Sequence, residues 1–331
     1  MRTSWPHFLR GALASAASAL ALVSASAQAQ ADAWPSAKPI SIVITFGAGS
    51  GSDITARFLA RTLKETLNAN AIVDIKPGGA GMVGAQFAAR AAPDGYTLLM
   101  GSGTVNAANY PLFRDRIPYS PTSFSTVAIL YVSPAVMFVN NELTGETFAE
   151  LFASAARLNR KLSCGSGNAV TQVACEILKR KTGADLVNVP YKGNGQSLTD
   201  LASGQISIAF ADMAAAAPLL ARKAIRAVMV PSSTRMSSLP DVRTAAEWGL
   251  QDFEFLSWNG LFVPAGTPPD IIAKLNQAAR HLLDSPEWDK QRSATSGIRV
   301  SADLASSRAF VNAEIAKWER YVRESGVKGS E

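Results

Sequence analysis

Two hydrophobic periods alternate along the chain. Ile40-Ser-Ile-Val-Ile-Thr-Phe46 is a run of apolar and β-branched residues, the composition of a strand buried on both faces. Gly47-Ala-Gly-Ser-Gly-Ser-Asp53 predicts a turn, and the apolar spacing that follows predicts a helix over 54–63. Ala71-Ile-Val-Asp-Ile75 and Tyr96-Thr-Leu-Leu-Met100 read as further strands, separated by a turn at 77–81 and a short helix at 83–91. Strands alternating with helices imply crossovers and a parallel sheet. The third strand ends in Gly101-Ser-Gly-Thr104, a second glycine-rich end that can face the same crevice as 47–53.

The run 127–139 is long for one strand, and Pro134 interrupts it. Proline cannot donate to a central ladder, so the reading is two strands, with the chain crossing between domains near Ser133-Pro134. The pattern then repeats. Thr147-Phe-Ala-Glu150 is a capping box for a helix through 157. Leu162-Ser-Cys164 is a short strand, and Gly165-Ser-Gly-Asn168 a glycine-rich turn into a helix at 170–181. Leu186-Val-Asn-Val189 exits through Pro190-Tyr-Lys-Gly-Asn-Gly195 into a helix at 197–202, stopped by Gly204. A strand at 206–211 ends at Asp212, an alanine-rich helix runs to 221, and 227–230 closes the second sheet. Segments 253–257 and 260–263 return to the first domain, which amphipathic helices at 269–283 and 304–324 complete. The fold class is therefore α/β, in two domains, each a mostly parallel sheet flanked by helices and joined by a hinge: 32–132 with 257–331, and 133–256. A hinge with facing clefts is built to close on a ligand.

The N-terminus changes where this happens. Arg2 and Arg10 precede an Ala/Leu/Val/Ser stretch over 11–25, and Ala27-Gln-Ala29 has the A-x-A form of an export cleavage site. Residues 1–31 read as a signal peptide cut near 29–31, too short to span a membrane, so the mature chain is exported to the periplasm. The full sequence has 32 Lys and Arg against 26 acids; losing Arg2 and Arg10 leaves a net charge of about +4, without a basic run that would point to nucleic acid. Cys164 and Cys175 are compatible with a disulfide or with two buried thiols.

Chemistry is limited by what is scarce. His281 is the only histidine after the export signal, so zinc sites and Ser/Cys–His catalysis have no cluster to draw on, and G-x-S-x-G does not occur. No enzyme, metal or cofactor is expected. Gly47–Ser52 lacks the final glycine of G-x-G-x-x-G and the lysine of a P-loop, which argues against a nucleotide. A glycine-rich strand-to-helix turn still aims backbone N–H groups and a helix dipole at an anion, and a carboxylate fits. Asp53 reads as the N-cap or first-turn acid of its helix, with a ligand contact as the alternative. Asp212 has two readings, a local cap or an acceptor for a ligand hydroxyl, amine or water. Lys192 either meets an acidic ligand or lies solvated at the cleft mouth. Trp258-Asn259-Gly260 reads as hinge packing.

The ordered motifs Lys38-Pro-Ile, Phe46…Gly49…Asp53…Arg57, Pro77-Gly-Gly-Ala-Gly, Pro93-Asp-Gly-Tyr-Thr-Leu-Leu, Val189-Pro-Tyr-Lys-Gly and Trp258…Gly-Leu-Phe-Val-Pro-Ala-Gly-Thr-Pro268 resemble the Bug (TctC) family over the whole mature chain. That resemblance implies a type II-like, Venus-flytrap periplasmic binding protein, a monomer that clamps a small organic carboxylate and delivers it to a tripartite tricarboxylate-type membrane transporter by transient docking. A periplasmic sensor presenting its ligand to a kinase without transport is the alternative. Carried across by position, one pincer is Phe46, Gly49, Ser52 and Asp53; the other is the turn from Ser166 through Asn168 to Thr171, with Asp212 near the inner wall, and Thr104, at the second glycine-rich strand end, joins them as a candidate ligand contact. Two departures fall in the pincers. Thr45-Phe46-Gly47 replaces the family's usual Pro-Phe-Pro, and the turn 164–171 is about two residues short, with Gln172 near a frequent histidine position. The ligand's identity does not carry over.

Overall fold

The structure is a computed structural model and describes residues 34–295 and 297–327; the signal-peptide assignment lies outside the described residues. Strand β1 (Ile40–Ile44) runs into helix α1 (Gly51–Leu67), then β2 (Ala71–Ile75), α2 (Met82–Ala89) and β3 (Thr97–Ser102). A π-helical turn (Thr104–Ala108) leads to α3 (Asn109–Phe113) and the long strand β4 (Phe124–Pro134). The chain then forms β5 (Val136–Asn140), α4 (Phe148–Arg157), β6 (Ser163–Ser166), α5 (Ala169–Thr182), β7 (Val187–Pro190), α6 (Asn194–Ala202), β8 (Ile208–Ala211), α7 (Met213–Ala221) and β9 (Ile225–Met229). It returns through β10 (Leu256–Pro264) to α8 (Pro269–Asp284), α9 (Pro286–Ala294) and α10 (Leu304–Ser325).

Two five-stranded sheets result, ordered β2-β1-β3-β10-β4 and β7-β6-β8-β5-β9. Both are mixed rather than mostly parallel. β1 pairs with β2 and β3 in parallel, but β10 pairs antiparallel with β3 and β4. β6 is likewise parallel to β7 and β8, while β5 is antiparallel to β8 and β9. The reason is the crossing: in each sheet the fourth strand, β10 or β5, arrives directly from the other sheet and enters in reverse. Apolar runs show that both faces are buried, not which way a neighbour points.

Alternation distributes each strand between two cores. Ile40, Ile42 and Ile44 pack with Leu59, Leu63 and Leu275 on one face, and Val43 faces Ala85, Ala88 and Val105 on the other. In the second sheet Met137 and Phe210 join Val173 and Leu178 of α5, whereas Val136 and Phe138 join Leu198 of α6. The break at Pro134 is as expected: β4 ends there, Ala135 donates its N–H to Phe255 O at 2.9 Å, and Leu256 opposes Pro134. The two crossing segments are thus paired with each other. Phe253, Phe255, Trp318 and Tyr321 pack beside them, and the Tyr321 hydroxyl donates to Glu254 O at 3.0 Å. Helix α10 therefore leans on the hinge itself and reaches α5 of the second sheet. Cys164 of β6 and Cys175 of α5 form a disulfide. No helix among the described residues is long and apolar enough to cross a membrane.

Candidate functional site

A cleft of about 320 Å³ lies between the sheets, at the carboxyl ends of the parallel strands. Its wall is built from the starts of helices. From the first sheet come the β1–α1 loop, with Phe46, Gly49, Gly51 and Ser52, and the start of the π turn, with Gly103 and Thr104. From the second come Asn168, Val170 and Thr171 at the start of α5, the stretch 192–196 at the start of α6, and Asp212 and Ala215 at the start of α7. Trp258 and Asn259 of β10 close the floor. Lys192 and Asp212 are the charged side chains among these lining residues.

Helix α1 begins at Gly51, three residues earlier than its hydrophobic period announces, because Ser50 is the cap: its Oγ accepts the Asp53 N–H at 3.3 Å. Asp53 is a first-turn acid. Its Oδ2 accepts the Gly49 N–H at 2.9 Å and its Oδ1 lies 2.9 Å from Arg57 Nε, so it fastens the loop from behind and does not line the cleft. Gly49 has φ of 80° with nothing near a would-be Cβ, so the loop needs a left-handed residue and leaves open space beside it. Ser52 Oγ donates to Asn259 Oδ1 at 2.7 Å.

Asn168 and Thr171 form a capping box: Asn168 Oδ1 accepts the Thr171 N–H at 3.0 Å, and Thr171 Oγ1 accepts from the N–H of Gly167 and of Asn168 at 3.0 and 3.2 Å. A Cβ on Gly167 would fall 2.2 Å from Asn194 N, so glycine there lets two loops of the second sheet touch. Ser166 is turned away, donating to Asn188 Oδ1 at 2.8 Å, and is absent from the cleft wall. Helix α6 has no side-chain cap at Gly193, which leaves its first N–H groups open to the cleft. Asp212 caps α7, with Oδ1 accepting the Ala215 N–H at 2.9 Å. Burial pushes its carboxyl above the ordinary value, against the lowering effect of the Ala215, Asp212 and Ala214 N–H groups.

The start of β10 was legible only in part. Trp258 is buried and packs, its Nε1 donating to Glu314 Oε2 at 2.9 Å and its ring meeting Phe310 edge-on. Asn259 beside it is 5 % exposed and reaches the cleft floor. A lone amide inside an apolar strand is a signal, because a buried amide needs partners. The open start of α6 left a weaker trace, in Gly193 and Gly195 flanking Asn194. Among the described residues no group of three or more His, Cys, Asp or Glu could hold a metal ion.

The model of the tripartite tricarboxylate transporter family receptor, TctC, matches residues 55–327. The chain belongs to this family. Protein BugT of Bordetella pertussis is 30% identical over 295 residues, 88% of this chain and 90% of BugT. MatC of Rhodopseudomonas palustris, solved with bound malate, is 28% identical with a TM-score of 0.80 and covers 87% of this chain and 99% of that one. An R. palustris protein solved with adipate is 28% identical at a TM-score of 0.83, covering 89% and 99%. The two-domain α/β architecture of this TctC receptor is thus shared with proteins solved holding small dicarboxylic acids. Of the positions named from sequence, Phe46, Gly49, Ser52, Thr104, Asn168, Thr171 and Asp212 meet at one cleft, and Asp53 and Ser166 stand behind it.

Proposed function

We propose that this protein is a periplasmic solute-binding receptor that clamps a small organic carboxylate between its two domains and hands it to a tripartite tricarboxylate-type membrane transporter. The domains in this reading are 32–132 with 257–331, and 133–256. The observation that carries it is the convergence of helix starts from both sheets on a cleft whose single cationic side chain is Lys192. An N–H group bonded to a charged oxygen is worth about 1.5–3 kcal/mol, so three or four such bonds reach the ~8 kcal/mol of a micromolar ligand. Amides held by caps and by the Gly167 contact are in place before ligand arrives, so less ordering opposes binding. Malate and adipate in the solved relatives support the ligand class. No nucleophile–histidine pair stands at the cleft, and the role needs none: bind, close, release.

Differential scanning fluorimetry of the mature chain against dicarboxylates, tricarboxylates, amino acids and aromatic acids tests the proposal. A bound acid at 100 times its Kd should add ~2.7 kcal/mol of stability. A panel in which no acid shifts the melt, while neutral sugars or cations do, would refute it.

A further inference from the structure

Two side chains reach the cleft floor from opposite sheets and meet at Gly51. A Cβ built on Gly51 would lie 3.5 Å from Asn259 Nδ2 and 3.6 Å from Asp212 Oδ1. Asn259 stands on β10 of the first sheet, and Asp212 follows β8 of the second. The Asn259 carbonyl is occupied by the Ser52 hydroxyl, which fixes the amide's orientation and leaves Nδ2 as a donor toward the cleft. Asp212 Oδ1 takes the Ala215 N–H, and a carboxylate with two oxygens keeps room to accept a further hydrogen bond from the cleft side. A donor and an acceptor therefore both neighbour Gly51 in the cleft wall, where the glycine places no side chain against them.

We propose that this pair reads a hydroxyl group, making the receptor selective for hydroxy carboxylates over the unsubstituted and amino-substituted acids of the same skeleton. The inference rests on the carboxylate reading of the cleft and deepens it. A hydroxyl donates to Asp212 and accepts from Asn259 Nδ2 at once. An ammonium donates to Asp212 but presents only hydrogens to Nδ2, leaving a buried donor unpaired. An unsubstituted acid offers neither bond, and its own charge then faces the Asp212 carboxylate with nothing in between. Glycine at 51 is what lets the ligand approach both groups. Because the two partners belong to different domains, the hydroxyl also ties the domains together, so its contribution appears as closure.

The test is isothermal titration of the mature chain with three matched sets: malate, succinate and aspartate; citrate and tricarballylate; lactate, propionate and alanine. In whichever skeleton binds, the hydroxy acid should bind about tenfold to a hundredfold more tightly than its partners, the range of one hydrogen bond to a charged group. Asp212→Asn, which keeps a capping side chain, should bring the hydroxy-to-unsubstituted ratio close to one. Asn259→Ala should erase the hydroxy-over-amino preference. Equal affinity within a set means that water fills the place of the hydroxyl, and the proposal falls. It falls too if the preference survives in Asp212→Asn, or if only acids outside these skeletons bind, outcomes that leave the carboxylate reading standing. A chain that binds no acid at all takes both readings down together.

Discussion

At the scale of single residues, Asp212 is the position where stability and function pull apart. Its carboxyl is raised from the ordinary 3.8 by burial, and the folded chain therefore holds its proton more tightly than the unfolded chain does. The sign differs from that of a salt-bridged acid: the penalty is absent below the unfolded value, grows as pH rises, and is complete above the folded one. Asp212→Asn removes that penalty while keeping the cap on Ala215 N–H, since asparagine caps a helix about as well as aspartate. The variant should melt higher than the parent at neutral pH, and the gap should close as pH falls through the acid range. Paired thermal melts between pH 3 and 8 decide it, and a gap independent of pH would show that ionisation is not the cause. The parent's choice of the costlier residue at the cleft floor is what a site selected for binding would make.

Among elements, the second jaw is held by a crosslink as well as by caps. The Cys164–Cys175 disulfide spans 11 positions and encloses the whole turn from Gly165 to the capping box at Asn168 and Thr171. Closing a loop of this size restricts the unfolded chain by about 2–3 kcal/mol. The double variant Cys164→Ala, Cys175→Ala should lose that amount, read as a melt lowered by about 5 °C or more, yet still bind ligand, because the caps and Gly167 hold the loop. An unchanged melt would mean that the turn is already ordered in the unfolded chain. Both outcomes for the cysteines were open in the sequence, since spacing does not say whether two buried sulfurs face each other. The jaws were legible because a glycine-rich turn between an apolar run and a helical period has few other meanings. What escaped depends on partners distant in sequence. The π turn after β3 forms where Asn106 Oδ1 folds back to accept the Ser102 N–H, over a Gly101 whose Cβ would meet Asn106 and Phe262. The antiparallel placement of β5 and β10 follows from the hinge crossings, and α9, a polar helix opened by Ser285 and Pro286, carries little hydrophobic period to announce it.

For the whole molecule the question is how the cleft handles charge. The sequence carries a formal net charge of +6, its one short basic run, Lys179-Arg180-Lys181, lies in the last turn of α5 and not in the cleft wall, and Lys192 is exposed at the cleft mouth with the amides beneath it. Two kinds of anion site respond differently to salt. Attraction by exposed cations acts over a distance and is screened once the Debye length shrinks from about 10 Å at 0.1 M toward 3 Å at 1 M. Hydrogen bonds from fixed N–H groups act at about 3 Å inside a closed cleft from which salt ions are excluded, and they keep their strength. A receptor that relies on the second kind should change its Kd by less than about threefold between 50 and 500 mM NaCl. Lys192→Ala should flatten even that slope and weaken binding no more than a surface ion pair would, by at most about 1 kcal/mol. Titrations of both chains across the salt series separate the two mechanisms. If the parent lost tenfold or more, and Lys192→Ala abolished that loss together with most of the affinity, the lysine would be the site and the helix starts only its scaffold.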